Sequence, residues 1–184
     1  IRNKSQIRQW LQPGKAYPRY LLSIANRLSA EIYESGGDRD DADKRYQAAL
    51  TLAQEAQESE PDSPLGYACE AEYWETRRNY ARAIAGRDLE EKACKTPEQR
   101  VDMYLYRWRL LYWDGQLDRA LDDIVQMQNL FPDSNAKKIW CVGLFPALLS
   151  AERGHADEAR KAARLMAETK PTDFRAVTSA AAML

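Results

Sequence analysis

The chain has 184 residues, about one domain's length at roughly 150 residues per domain. Its 27 Lys and Arg against 28 Asp and Glu give a formal net charge of -1, whereas a dedicated nucleic-acid binder carries a basic excess. Apolar residues make up 45%, enough for a packed core and too many for a disordered chain. The mean hydropathy is -0.66, and the longest apolar run spans 8 residues, 142–149, with Gly143 and Pro146 inside it. A membrane helix needs about 20 apolar residues, so no membrane partner is expected. His155 is the single histidine, which excludes a His-rich metal site and any mechanism with two imidazoles. The chain opens on Ile1 without a Met or a signal-peptide pattern, which predicts a piece of a longer protein.

The charge is segregated. Residues 1–30 hold six bases (Arg2, Lys4, Arg8, Lys15, Arg19, Arg27) and no acid, residues 31–91 carry a net -9, and residues 92–184 a net +2. A basic lead before an acidic block points to two surfaces or to one part covering another; a solvated linker and helix face is the blander alternative. Cys69, Cys94 and Cys141 are odd in number and lack zinc or CxxC spacing. They read as small, partly buried residues of a reducing compartment, and predict a cytoplasmic location.

In chain order, residues 1–19 contain Pro13-Gly14 and Tyr17-Pro18 and leave room for a short helix over 6–11, with Trp10 and Leu11 placed to pack on the first hairpin. Helix formers then dominate, and no alternating strand pattern persists. Breakers recur at Gly36-Gly37, Glu60-Pro61-Asp62, Thr96-Pro97, Asp114-Gly115, Phe131-Pro132-Asp133, Arg153-Gly154 and Lys170-Pro171-Thr172. The stretches between them are roughly 13–20 residues long, so the prediction is an all-α chain of helical hairpins at about 20–61, 62–97, 98–133 and 134–172. A last helix, 173–184, is capped by Asp173 and shows almost no polar face after Arg175. It is expected to continue into further chain or to be covered by another subunit, as in a homodimer.

The hairpins repeat. Gly37 precedes Ala42 by five residues, Gly115 precedes Ala120, and Gly154 precedes Ala159. Asn79-Tyr80-Ala81-Arg82-Ala83 is a fourth copy with Arg78 at the glycine position. The alanines lie 41, 37 and 39 residues apart. Counted from them, small residues of the first helices fall on Ala30, Ala71 and Ala147, and aromatics on Tyr33 and Trp74. Tyr46 and Ala49 fill second-helix positions, and Pro132 and Pro171 close repeats, with Pro61 and Pro97 a looser match. In this the chain resembles the tetratricopeptide repeat (TPR) over about residues 20–172. The departures are Trp108 at a small position, Arg87 and Glu90 at an aromatic and an alanine position, about seven extra residues before Pro61, and Pro146 within a first helix.

The resemblance implies a right-handed α-α superhelix, or solenoid, of about four TPR-like hairpins, against the alternative of a generic helical-repeat solenoid. It also implies a non-catalytic module that binds a peptide or protein partner in a concave groove. The rival is a regulatory or oligomerisation segment of a longer protein, such as a transcription regulator, a signalling ATPase or a secretion component. No GxSxG, P-loop, GxGxxG or HExxH occurs, so no catalytic residue, metal ligand or cofactor is assigned. The pairs Glu90-Glu91 and Asp122-Asp123 are expected on solvated faces. Tyr104, Leu105, Trp108, Leu111 and Tyr112 share an apolar helix side, with Arg107 pointing elsewhere.

Carrying over the family's groove-facing positions gives Arg27, Glu31 and Glu34, then Ala68, Glu72 and Glu75. Leu105, Arg109, Tyr112 and Trp113 come next, then Leu144, Leu148 and Glu152. Some family members bind chaperone C-terminal carboxylates with a Lys, Asn and Arg clamp. Here those positions hold Arg27, Glu31, Cys69, Asp102 and Tyr106, so that clamp is absent. The four glutamates are expected to attract Lys or Arg of the partner, and Tyr112 and Trp113 to anchor apolar groups. The alternative occupant of the groove is the chain's own residues 1–19.

Overall fold

The computed structural model describes residues 16–130, 150–152, 154–158, 160, 161 and 164. Residues 16–130 form six helices, α1 Ala16–Ser35, α2 Arg39–Ser59, α3 Pro64–Thr76, α4 Tyr80–Ala93, α5 Pro97–Trp113 and α6 Leu117–Leu130; residues 150–152 and 156–158 are also helical, and no strand occurs among the described residues. Pro132, Cys141, Pro146, Ala147, Ala159, Pro171, residues 1–15 and the helix predicted over 173–184 lie outside them. The chain divides into two compact units, Ile1–Met103 and Tyr104–Leu184, with the division inside α5.

The turns within hairpins share one design. A helix ends when the next residue takes a left-handed conformation and its neighbours' amides satisfy the last carbonyls. At Gly37 (φ 86°) the amides of Gly37 and Asp38 donate to the carbonyls of Glu34 (3.1 Å) and Tyr33 (2.9 Å). At Gly115 (φ 78°) those of Gly115 and Gln116 donate to Tyr112 and Leu111, and at Gly154 (φ 77°) those of Gly154 and His155 to Ala151 and Ser150. Arg78 makes the same turn with φ 54°, its amide and that of Asn79 donating to Glu75 and Trp74. The next helix starts at once: Asp38 accepts from the Asp41 amide and Asn79 from the Arg82 amide. The turns between hairpins use proline instead. Pro64 opens α3, and Thr96 precedes Pro97 in a reciprocal cap, in which Gln99 accepts from the Lys95 and Thr96 amides and its own amide donates to Thr96.

Small residues set the packing in the first unit. Ala30, Ala49, Ala53, Ala56, Ala71 and Ala83 are fully buried, and Ala42 and Tyr46 nearly so. Ser23 on α1 donates to the Ala49 carbonyl of α2 at 2.8 Å. Gly66 lets α3 approach α2 so closely that an added Cβ would stand 2.7 Å from the Gln57 amide nitrogen. The extra residues before Pro61 lengthen α2 to 21 residues, two turns more than the 14 of α4 or α6. In the second unit, α5 buries Tyr104, Trp108, Leu110 and Leu111, and α6 buries Ala120, Ile124 and Met127. The bulky Trp108 thus occupies an interior position where the repeat family has a small residue.

The shared turn predicts opposite effects at its glycine and non-glycine copies. Arg78→Gly is expected to raise unfolding stability by about 1 kcal/mol, because an L side chain in this conformation is strained. No atom lies within 4 Å of a Cβ added at Gly37, so Gly37→Ala should lower stability by a similar amount through the backbone alone. Denaturant midpoints of the two variants check both signs.

Candidate functional site

In the first unit, residues expected to face a groove belong to a set of ion pairs across three helices. Arg27 on α1 reaches Glu31 on its own helix at 2.7 Å and Glu72 on α3 at 3.1 Å. Glu72 also lies 3.8 Å from Arg87 on α4, and Arg87 bonds Glu90 at 2.6 Å. Arg87 is 1% exposed and Glu90 6%. Burial holds the Glu90 carboxyl above its ordinary range, and it outweighs the opposing pull of the Arg87 guanidinium and its hydrogen bond. These two residues are the second repeat's departures from the family pattern. An aromatic and an alanine are replaced there by an arginine and a glutamate that neutralise each other.

The remaining acids of this face differ in use. Glu34 accepts from the Tyr46 hydroxyl at 2.8 Å. Burial first, and then Glu34, pushes Tyr46 up to about 12, and the Arg77 guanidinium stands 5.0 Å from its ring. Glu31 stays 40% exposed at its side chain, Glu75 is half-buried, and Ala68 is buried. Cys69 and Cys94 are unbridged and buried. Burial pushes their thiols up to about 12 and about 11, so both stay protonated and unreactive at neutral pH. Among the described residues, no group of three or more His, Cys, Asp or Glu could hold a metal ion.

In the second unit, one stripe of α5 carries Tyr106, Arg109 and Trp113. The Arg109 guanidinium lies 5.6 Å from the Tyr106 ring centre and 5.3 Å from that of Trp113, within cation–π range. Tyr106 is 39% and Trp113 47% exposed. Tyr112, beside them, donates to Glu152 at 3.1 Å. On the inner side Arg107 makes a two-pronged pair with Asp123 of α6 at 2.9 and 2.7 Å, both residues buried.

This geometry corrects three sequence expectations. Arg107 does not point away from the apolar side: a bidentate carboxylate lets a guanidinium be buried there. Asp123 and Glu90 do not lie on solvated faces, because each has an arginine partner inside. Arg27, Glu31 and Glu72 are brought together in one cluster, and Arg109 and Trp113 in another. Glu34 is bonded by Tyr46 and Tyr112 bonds Glu152, while Leu144 and Leu148 lie outside the described residues. Tyr106 is not assigned as an anchor from sequence, although its spacing of three and seven residues from Arg109 and Trp113 carries the signal.

The buried pair yields a stability prediction. Glu90→Ala alone should cost about 3–5 kcal/mol, because it leaves Arg87 inside without its nearest carboxylate. Arg87→Tyr with Glu90→Ala restores the family's residues and should recover most of that loss. Because the folded pKa of Glu90 lies above the unfolded one, the folded state takes the proton first as pH falls. Its contribution to stability is therefore more favourable below the carboxylate range than at neutral pH. Comparing wild type with Glu90→Gln by urea unfolding at pH 7 and pH 4 should show that difference.

No family model and no curated protein matches the sequence. Among solved structures the chain is similar to YrrB, described as "a TPR protein with an unusual peptide-binding site". The TM-score is 0.63 at 16% identity, over 97% of this chain and 80% of that one. With the repeated left-handed turns and the alternating first and second helices, this likeness shows that the chain has a tetratricopeptide-like helical-repeat fold.

Proposed function

We propose that the chain is a non-catalytic protein-interaction module that holds a peptide or protein segment against the exposed faces of its first helices. The observation that carries this is the pair of exposed rings on α5, Tyr106 and Trp113, each within cation–π range of the half-buried Arg109 guanidinium. Rigid rings flanking a cation offer apolar contact and charge recognition at small entropic cost, and Trp, Tyr and Arg are the residue types enriched at binding hot spots. The likeness to a peptide-binding TPR protein supports the same reading.

The acidic half contributes less to a partner than its composition implies. Glu72 is engaged by Arg27 and lies near Arg87, and Glu34 is engaged by Tyr46. Glu31 is held by Arg27 at 2.7 Å yet keeps its side chain 40% exposed, so of the Arg27-bound carboxylates it is the one more open to a basic partner residue. The partner then has an apolar or aromatic anchor for Tyr106 and Trp113, with basic residues secondary. Unbridged Cys69 and Cys94 fit a reducing cytoplasmic setting. No helix among the described residues is long and apolar enough to cross a membrane.

A displayed random-peptide library selected on the full chain tests this reading. Selected peptides should bind the Trp113→Ala and Tyr106→Ala chains at least about 10-fold more weakly, the loss expected of a hot spot above about 1.4 kcal/mol. Equal affinity for wild type and both variants would remove α5 as the site.

A further inference from the structure

The turn between α3 and α4 differs in charge from its three copies. Residues 77–82 hold Arg77, Arg78 and Arg82 and no acid, a net +3. The matching six residues carry -2 at 36–41, -1 at 114–119 and -1 at 153–158. Helices α2 and α6 start with an acid in the first turn, as the helix dipole favours, whereas α4 has none there. Arg82 takes instead the place that Asp41 has in α2. Arg78 holds a left-handed conformation, φ 54°, where the other copies have glycine. Both arginines therefore stand where they cost stability, and such a departure from the local rule marks residues kept for another task.

The side chains of Arg77, Arg78 and Arg82 are all exposed. Two of them are held over rings. The Arg82 guanidinium carbon lies 4.4 Å from the centre of the Trp74 ring, and that of Arg77 lies 5.0 Å from that of Tyr46. A guanidinium stacked on a ring keeps its edge N–H groups for acceptors and loses little rotamer freedom when it binds one. Arg77 is met weakly by Asp43 of the first hairpin, 3.9 Å away. Arg78 and Arg82 make no ion pair among the described residues.

We propose that this turn binds an acidic segment of a partner protein, with Arg78 and Arg82 pairing to its carboxylates and Arg77 adding longer-range attraction. Charge complementarity selects that chemistry, and the planar guanidinium fork matches the two oxygens of a carboxylate. A nucleic acid meets opposition here. The surrounding block of residues 31–91 carries a net -9, and a polyanion reaches past a patch of six residues into it. A short run of Asp or Glu touches the patch alone, because salt screens exposed charges beyond about 8–10 Å.

The probe is a synthetic peptide of four consecutive glutamates between glycine-serine flanks, titrated into the isotope-labelled 184-residue chain. The Arg78, Arg82 and Trp74 side-chain NMR signals should move along one saturation curve. Affinity should fall severalfold between about 0.05 and about 0.3 M NaCl. Arg78→Gly separates binding from folding, because it should unfold at higher urea than wild type and yet bind more weakly. Arg78→Gly with Arg82→Glu, which gives the turn the character it has in the first hairpin, should weaken binding at least about 10-fold. Trp113→Ala should bind the peptide as wild type does, so a failure of the α5 site leaves this test untouched. Absence of saturable binding, or equal binding to wild type and the double variant, overturns the proposal. Tighter binding of a single-stranded DNA of the same charge through these arginines assigns the turn to nucleic acid and overturns it. Loss of peptide binding in Trp113→Ala assigns the peptide to α5, and also overturns it.

Discussion

The close approach of α2 and α3 is the constraint on which the first unit depends. Gly66 stands where a single added carbon would collide with the backbone of Gln57, and buried alanines line the neighbouring contacts. Helices held this close leave no room for bulky apolar side chains between them and exclude water from the charges alongside. The close approach recurs between α3 and α4, where Gly86 faces Ala71 and the adjacent Arg87 is buried with Glu90, and Arg27 spans from one hairpin to Glu72 of the next. Ion pairs in such a place contribute little net energy but penalise any arrangement that separates the partners. The Arg27–Glu72 pair joins hairpin to hairpin in one register, much as the left-handed turns fix each hairpin internally.

The regular features are legible in the sequence because they are local. A glycine five residues before an alanine specifies a turn and the first buried contact of the next helix. The fourth copy is recognisable even though Arg78 replaces the glycine, and the structure keeps its positive φ. The charged interior is not legible. Glu90 and Asp123 each sit in an acidic doublet on a helix, a pattern that normally faces solvent. Their burial depends on the guanidinium groups of Arg87 and Arg107, and the Arg107–Asp123 pair joins residues 16 apart on different helices. Periodicity within one helix does not encode such distances. The aromatic stripe of α5 is half legible: Arg109 and Trp113 fall on one face by spacing, while Tyr106 enters the sequence reading only as a position of the missing carboxylate clamp.

The functional picture shifts accordingly. The acidic block of residues 31–91 suggests a surface charged to attract a basic partner, yet Glu90 is buried against Arg87, the half-buried Glu72 is held by Arg27, and Glu34 accepts from a tyrosine. The exposed rings of Tyr106 and Trp113 beside Arg109 on α5 are the surface proposed to meet a partner. A helical-repeat scaffold suits this division, since its interior positions can carry register-setting charges while its exposed helix faces vary.

The most direct test tracks the tryptophan indole and arginine side-chain signals of the isotope-labelled chain by NMR during titration with a library-selected peptide. Trp113 and Arg109 are expected to shift with a common saturation curve, while the Arg27 and Arg87 guanidinium signals stay in place. Shifts centred on Arg27 and Arg87, with Trp113 unmoved, would contradict a binding stripe on α5 and place recognition in the charge cluster that holds the hairpins together.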